Sequence, residues 1–265
     1  MLLEDKNAVI YGGGGAIGGA VARVFAREGA RVFIAGRTVA RLDRVAREVA
    51  AVGGAIEITP LDALDQNAVH AHAAAVAAKA GGIDIALNAV SFMHDQGTTI
   101  HELSLDDFML PIDRFLRAQF ITTKATAAHM GKKRPGVILT LSTPGGSLAA
   151  AGHLGHCVSV AGIEMFTRVL AAELAPDVRV VCIRPHAIAD APEAGSYTRS
   201  LFAPKAAAAG LSVEQWMAGA AESTALKRLP TLEQVAETAA FLASDNANAM
   251  TATVVDLTCG VVASR

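Results

Sequence analysis

Tyr11-Gly12-Gly13-Gly14-Gly15-Ala16-Ile17-Gly18-Gly19-Ala20 is the stretch that decides how this chain is read. A short apolar run at 7–11 precedes it, and residues 17–28 follow with apolar side chains at helical spacing. Glycines at such a joint let the backbone turn tightly and approach a pyrophosphate. The helix that follows offers free N–H groups and a positive dipole end to an anion. Four glycines in a row form a loop in many contexts; their place between a first strand and a first helix makes this run a dinucleotide-site signal.

Working outward, apolar strand candidates fall at 7–11, 31–35, 55–60, 83–88, 136–141, 178–184 and 253–257. Ala-rich stretches with helical periodicity, such as 17–28, 39–52 and 67–80, lie between them. Near-continuous apolar strands alternating with helices predict a parallel sheet covered on both faces. The expected fold is a single α/β Rossmann domain over 1–265, with a doubly wound, seven-stranded parallel sheet. Thr38 is placed to cap the second helix, and Ser104 with Asp107 resembles a capping box, as does Thr231 with Gln234. One long irregular insertion, 187–212, reads as a cover for a substrate.

Composition narrows the function. A length of 265 residues suits one large α/β domain, and 52% apolar content supports a well-buried interior. A net charge of −2 and 5% aromatic residues argue against nucleic-acid or anionic-membrane partners. No apolar run reads as a membrane span or a secretory leader, and the three cysteines, Cys157, Cys182 and Cys259, are few and odd in number. The expected compartment is a reducing cytoplasm.

The second strand candidate ends Ile34-Ala35-Gly36-Arg37, where a carboxylate would bind the ribose 2′-OH of NAD. A cation there suits a 2′-phosphate and predicts NADP(H) in preference to NAD(H); the plain alternative is a solvated Arg at a helix start.

Taken with the rest of the chain, these residues resemble the short-chain dehydrogenase/reductase family nearly end to end. Tyr11-Gly-Gly-Gly-Gly-Ala-Ile-Gly18 is similar to its Thr-Gly-x-x-x-Gly-x-Gly turn, and Asn88-Ala89-Val90-Ser91 stands at its Asn-Asn-Ala-Gly position. Leu229-Pro-Thr-Leu-Glu-Gln-Val and Val255-Asp256-Leu-Thr-Cys-Gly260 resemble its C-terminal segments. The resemblance implies a cofactor site built from Gly12, Gly14, Gly15, Ala16, Ile17, Gly18, Arg37, Asp62, Ala63, Asn88, Ala89, Pro185 and Ile188. It also implies a homo-dimer or homo-tetramer assembled through helices at 105–130 and 154–174.

The family's catalytic Ser, Tyr-x-x-x-Lys pair and helical Asn do not carry over. Aligning Ala161-Gly162 puts Val160 at Lys, His156 at Tyr and Thr143 (beside Ser142) at Ser, and aligning Asp107-Phe108 and Ile112-Asp113 puts Phe115 at Asn. A wider Tyr–Lys spacing places His153 at Tyr, and no Tyr lies between Tyr11 and Tyr197. The strand ends form the crevice of such a fold, so His94, His153, His156 and His186 are expected to converge there. Imidazole exchanges protons near neutral pH. The leading expectation makes His156 the acid/base with Ser142 or Thr143 orienting the substrate oxygen; a polar helix cap is the plain alternative for His156. Tyr197, in the insertion, stands in reserve. No tight metal-ligand motif is present, so no metal is expected.

Three functions stay open. The first is an NADP(H)-dependent oxidoreductase acting on a carbonyl, alcohol or activated C=C of a small, apolar substrate. The second is a lyase, cyclase or isomerase using the histidines. The third is a non-catalytic dinucleotide-dependent sensor. An apolar ligand is suggested by Phe202, with Trp216 and Met217 nearby.

Overall fold

The structure, a computed structural model, describes residues 1–131 and 134–261. Its strands are β1 (Asn7–Tyr11), β2 (Arg31–Gly36), β3 (Ile56–Pro60), β4 (Ile85–Asn88), β5 (Gly136–Leu141), β6 (Val178–Pro185) and β7 (Thr253–Leu257). Its helices are α1 (Ala16–Arg27), α2 (Val39–Ala50), α3 (Gln66–Ala80), α4 (Leu105–Ala127), α5 (Leu154–Leu174), α6 (Thr198–Ala208), α7 (Val213–Glu222) and α8 (Leu232–Ala243). All seven strands pair in parallel in the order β3-β2-β1-β4-β5-β6-β7, which makes the expected doubly wound sheet. The chain reverses its direction of travel across the sheet between β1 and β4, and there the carboxyl ends of the strands open into a crevice.

Strand side chains alternate between two cores. Ala8 and Ile10 of β1 join α1 and α8 through Phe25, Val235 and Leu242, whereas Val9 and Tyr11 face Val69 and Ile121 of α3 and α4. Burial of each large apolar side chain contributes about 1.5–3 kcal/mol, so both faces of the sheet need their helices. The strands therefore read as continuous apolar runs.

The expected caps hold unevenly. Thr231 and Gln234 form a full capping box, and so do Ser212 and Gln215, which the sequence reading passed over. Ser104 accepts from the Asp107 N–H, but the Asp107 carboxylate takes the Ser104 hydroxyl instead of the backbone N–H, so that box is half made. Thr38 occupies the N-cap of α2 without a side-chain bond.

The insertion at 187–212 is not irregular throughout, as it contains α6. Alanines at 203 and 206–208 favour a helix and outweigh Pro204, which sits inside it. Among the described residues no helix is long and apolar enough to cross a membrane.

Candidate active site

The glycine turn sits at the switch point. Gly12 has φ +79°, a left-handed conformation open to glycine, and its N–H donates to the Ala35 carbonyl at 2.8 Å. A Cβ on Gly12 would lie 2.6 Å from the Ala89 carbonyl carbon, and one on Gly18 would lie 2.4 Å from the Gly12 carbonyl oxygen. Helix, turn and β4 thus meet with no room for side chains. The first turn of α1 carries no acid, and its N-cap, Gly15, has no side chain to occupy the free N–H groups. That end is left for an anion.

The cleft over the turn, about 700 Å³, is lined by Gly12, Gly14, Gly15, Ala16 and Ile17, then by Arg37, Asp62, Ala63 and Ala89. Arg37, Arg41 and Arg114 face it, and none of the three joins an ion pair among the described residues. Gly18 lies buried beneath the turn. Asn88, Pro185 and Ile188 line the adjoining chamber instead. The cradle, the bare helix end and the guanidinium groups fit a dinucleotide.

The second chamber, about 690 Å³, shares Ala16, Ile17, Ala89, Val90, Ser91, Ser196 and Tyr197 with the first. No Asp, Glu, Lys or Arg is among the described residues lining it. All four expected histidines converge there. Phe202 lines the chamber, but Trp216 and Met217 do not; Met217 is buried on α7.

A chain of hydrogen bonds runs along one wall. His94 Nδ1 lies 2.8 Å from the Phe92 carbonyl, which can only accept, so Nδ1 carries the proton and Nε2 accepts. His156 Nδ1 lies 3.1 Å from that Nε2, which the Gln96 amide N–H also approaches at 3.0 Å, and His156 Nε2 lies 2.9 Å from the Thr143 hydroxyl. The Phe92 carbonyl thus sets the His94 tautomer, and Thr143, His156 and His94 form one continuous line. Burial, with His94, His153 and Lys205 adding to it, pushes His156 down to about 3, so it is neutral at pH 7. His156 is not a helix cap; the N-cap of α5 is His153.

The two hydroxyls at the end of β5 part company. Ser142 donates to the buried Glu164 carboxylate at 2.6 Å, away from His156. Arg184 grips that carboxylate through two bonds, at 2.9 and 2.8 Å, and also reaches Asp256 at 3.0 Å. Ser142 thus braces the strand end, in contrast to the orienting role open to it from sequence, and Thr143 alone pairs with His156. His186 accepts from the Ala187 N–H at 2.7 Å, a local role. Tyr197 lies edge-on to His94 with centroids 6.4 Å apart. Where the resemblance expects Lys and Asn, buried Val160 and the aromatic Phe115 face the chamber, the latter edge-on to His94 at 5.5 Å.

Sequence reasoning passed over Glu164, Gln96 and Lys205. Glu164 carried a faint signal, an acid within an apolar helical face. Gln96 and Lys205 sit in loop and insertion and carried none.

Fold and clefts together define a class: a Rossmann-type α/β protein whose glycine-turn cleft opens onto a histidine-lined chamber. The model of the enoyl-(acyl carrier protein) reductase family matches residues 14–262. The chain belongs to the short-chain dehydrogenase/reductase family. It is 31% identical to the Bacillus subtilis oxidoreductase YxbG, with 98% of this chain and 92% of that protein covered. It is 27% identical to the 3-oxoacyl-[acyl-carrier-protein] reductase of Thermotoga maritima, over 99% of this chain and all (100%) of that one. A solved short-chain dehydrogenase/reductase of glucose/ribitol dehydrogenase type from Brucella melitensis superposes with a TM-score of 0.84 at 23% identity, covering 99% of each chain.

Proposed function

We propose that the protein is an NADP(H)-dependent oxidoreductase acting on a carbonyl, alcohol or activated C=C group of a small, largely apolar substrate. The observation that carries this is the shared wall of the two clefts: the glycine-turn cradle opens directly into a chamber of about 690 Å³ with no charged residue among the described residues lining it. The glycine turn, Arg37, Asp62 and Asn88 would hold the nucleotide, which supplies the hydride when bound. Thr143, whose hydroxyl faces His156 Nε2, would accept from a substrate hydroxyl, and His156 would take the proton relayed through it on oxidation and return it on reduction. A neutral His156 at pH 7 favours an activated C=C over a simple ketone, because hydride delivery to it makes a smaller demand on a local acid.

The experiment is a calorimetric titration of NADPH, and separately NADH, into nucleotide-free protein, followed by a substrate screen at 340 nm. NADPH is expected to bind at least about tenfold tighter than NADH, since a charged hydrogen bond is worth about 1.5–3 kcal/mol. Arg37→Ala is expected to weaken NADPH by about 10–100-fold while changing NADH less than about threefold. Equal losses for both nucleotides would remove Arg37 from the 2′-phosphate. Binding of neither would overturn the redox reading and leave the histidine pair to a lyase or isomerase.

Homo-oligomerisation belongs to the same reading. Met109 and Phe120 on α4, with Met165 and Val169 on α5, are large apolar side chains left exposed, and helix–helix pairing would cover them. Sedimentation at micromolar concentration tests this, with a dimer or tetramer expected and a monomer excluding it.

A further inference from the structure

Lys205 lies on α6, in the segment that covers the chamber, yet its side chain reaches back into the fold. Its ammonium donates to Gln96 Oε1 at 2.8 Å and to His153 Nε2 at 2.8 Å. Gln96 belongs to the loop between β4 and α4, and His153 opens α5. Those two loops already touch: the Gly97 N–H donates to the Gly152 carbonyl at 2.6 Å. The lysine stem runs over Gly97, where a Cβ would lie 4.0 Å from Lys205 Cε, and past the Phe202 ring at 5.7 Å. Lys205 is thus half-buried at the point where three segments meet. Among the described residues no carboxylate forms an ion pair with it.

Each contact has one chemical sense. An ammonium only donates, so Gln96 turns its oxygen to Lys205 and its amide N–H toward His94 Nε2, 3.0 Å away. His153 Nδ1 donates to the Ala151 carbonyl at 2.8 Å, which leaves Nε2 to accept from Lys205. The same helix carries Leu201 and Phe202, which wall the chamber. Opening α6 for a substrate would therefore release Gln96 and His153 together.

We propose that Lys205 is a positioning residue that latches α6 over the chamber and, when closed, orients Gln96 and His153 beside the Thr143–His156–His94 line. The latch restores a cation near the site from a helix other than α5, where Val160 stands in the lysine position. Its relevance to turnover rests on the oxidoreductase reading above, but the latch itself exists without nucleotide or substrate and is tested that way.

The test compares Lys205→Met, Lys205→Arg and Ala203→Gly in the nucleotide-free, full-length protein. Histidine-resolved NMR titration and amide hydrogen exchange of α6 are the readouts. The charged groups facing His153 are Lys205 from α6 and Asp95 from the β4–α4 loop, with opposite effects on its protonation. Losing the cation should raise the His153 titration midpoint in Lys205→Met and speed α6 exchange at least about tenfold, the gain expected when a local opening loses one specific tether. Lys205→Arg, which keeps a donor and the charge, should stay close to the wild type in both. Ala203→Gly weakens the same helix at an exposed position without touching the latch, so it should speed exchange and leave His153 unmoved.

An unchanged His153 midpoint in Lys205→Met, or the same shift in Ala203→Gly, would overturn the proposal. If neither nucleotide binds while Lys205→Met still shifts His153 and speeds α6 exchange, the latch stands and the oxidoreductase reading falls; a His153 shift with unchanged α6 exchange overturns the latch. The reverse pattern removes the latch alone.

Discussion

Gly18→Ala is expected to cut NADPH affinity by at least about 100-fold while leaving the sheet intact. The added Cβ would sit 2.4 Å from the Gly12 carbonyl oxygen, 2.9 Å from its carbon and 2.9 Å from Gly13 Cα. All three neighbours are backbone, so no side chain can swing aside. Gly12 cannot yield either, because its own outer face lies against Ala89 and Val90 backbone. The turn must therefore lift away from α1, carrying its N–H groups off the line of the helix end. Losing two charged hydrogen bonds at about 1.5–3 kcal/mol each predicts a loss of about 10²–10⁴ in binding. Overpacking also costs about 1–3 kcal/mol of stability, or about 2–12 °C in Tm for a domain of this size. Calorimetry beside a thermal melt separates the two effects. A folded Gly18→Ala protein that binds NADPH within threefold of the wild type would show that the turn does not hold the pyrophosphate.

The second large effect is expected from His156→Phe, with a fall in kcat/KM of about 10²–10⁴ on whichever substrate the screen identifies. Phenylalanine fills the ring's space but makes no hydrogen bond to Thr143 or His94. The line breaks at its centre and the Thr143 hydroxyl loses its fixed direction. A loss under threefold would sink the assignment. The same variant carries a signature in stability. His156 is held down to about 3 by burial, against about 6.5 in an unfolded chain. Between those values the unfolded state takes up a proton that the folded state refuses, so stability falls as pH drops from about 6.5 toward 3. The slope reaches up to about 1.4 kcal/mol per pH unit for this group. His94 and His186 are also lowered by burial and add in the same direction. Urea unfolding at pH 7, 6 and 5 is expected to show a steeper acid loss in the wild type than in His156→Phe; equal slopes would mean that His156 ionises freely.

The strands were legible because burial on both faces leaves little choice of residue. Runs such as Ala8–Ile10 and Val180–Ile183 are wholly buried, so each reads as an unbroken apolar segment in one dimension. The glycine turn was legible for a steric reason that is equally local, as was the Thr231–Gln234 capping box. The histidines were found because each follows a strand or opens a helix at the carboxyl edge of the sheet, a position that topology brings to the crevice. The segment 187–212, expected to be irregular, holds the helix Thr198–Ala208 with Pro204 inside it.

From sequence alone came the doubly wound sheet, the nucleotide cradle and the short list of polar side chains around the chamber, because periodicity, glycine sterics and chain order are local properties. Only the tertiary structure decided that Thr143 pairs with His156 while Ser142 turns to Glu164, 22 positions away. It also decided that Lys205 reaches His153 and Gln96, 52 and 109 positions distant. A hydrogen bond needs about 3 Å and a fixed direction, and chain segments so far apart acquire both only when the elements carrying them are packed.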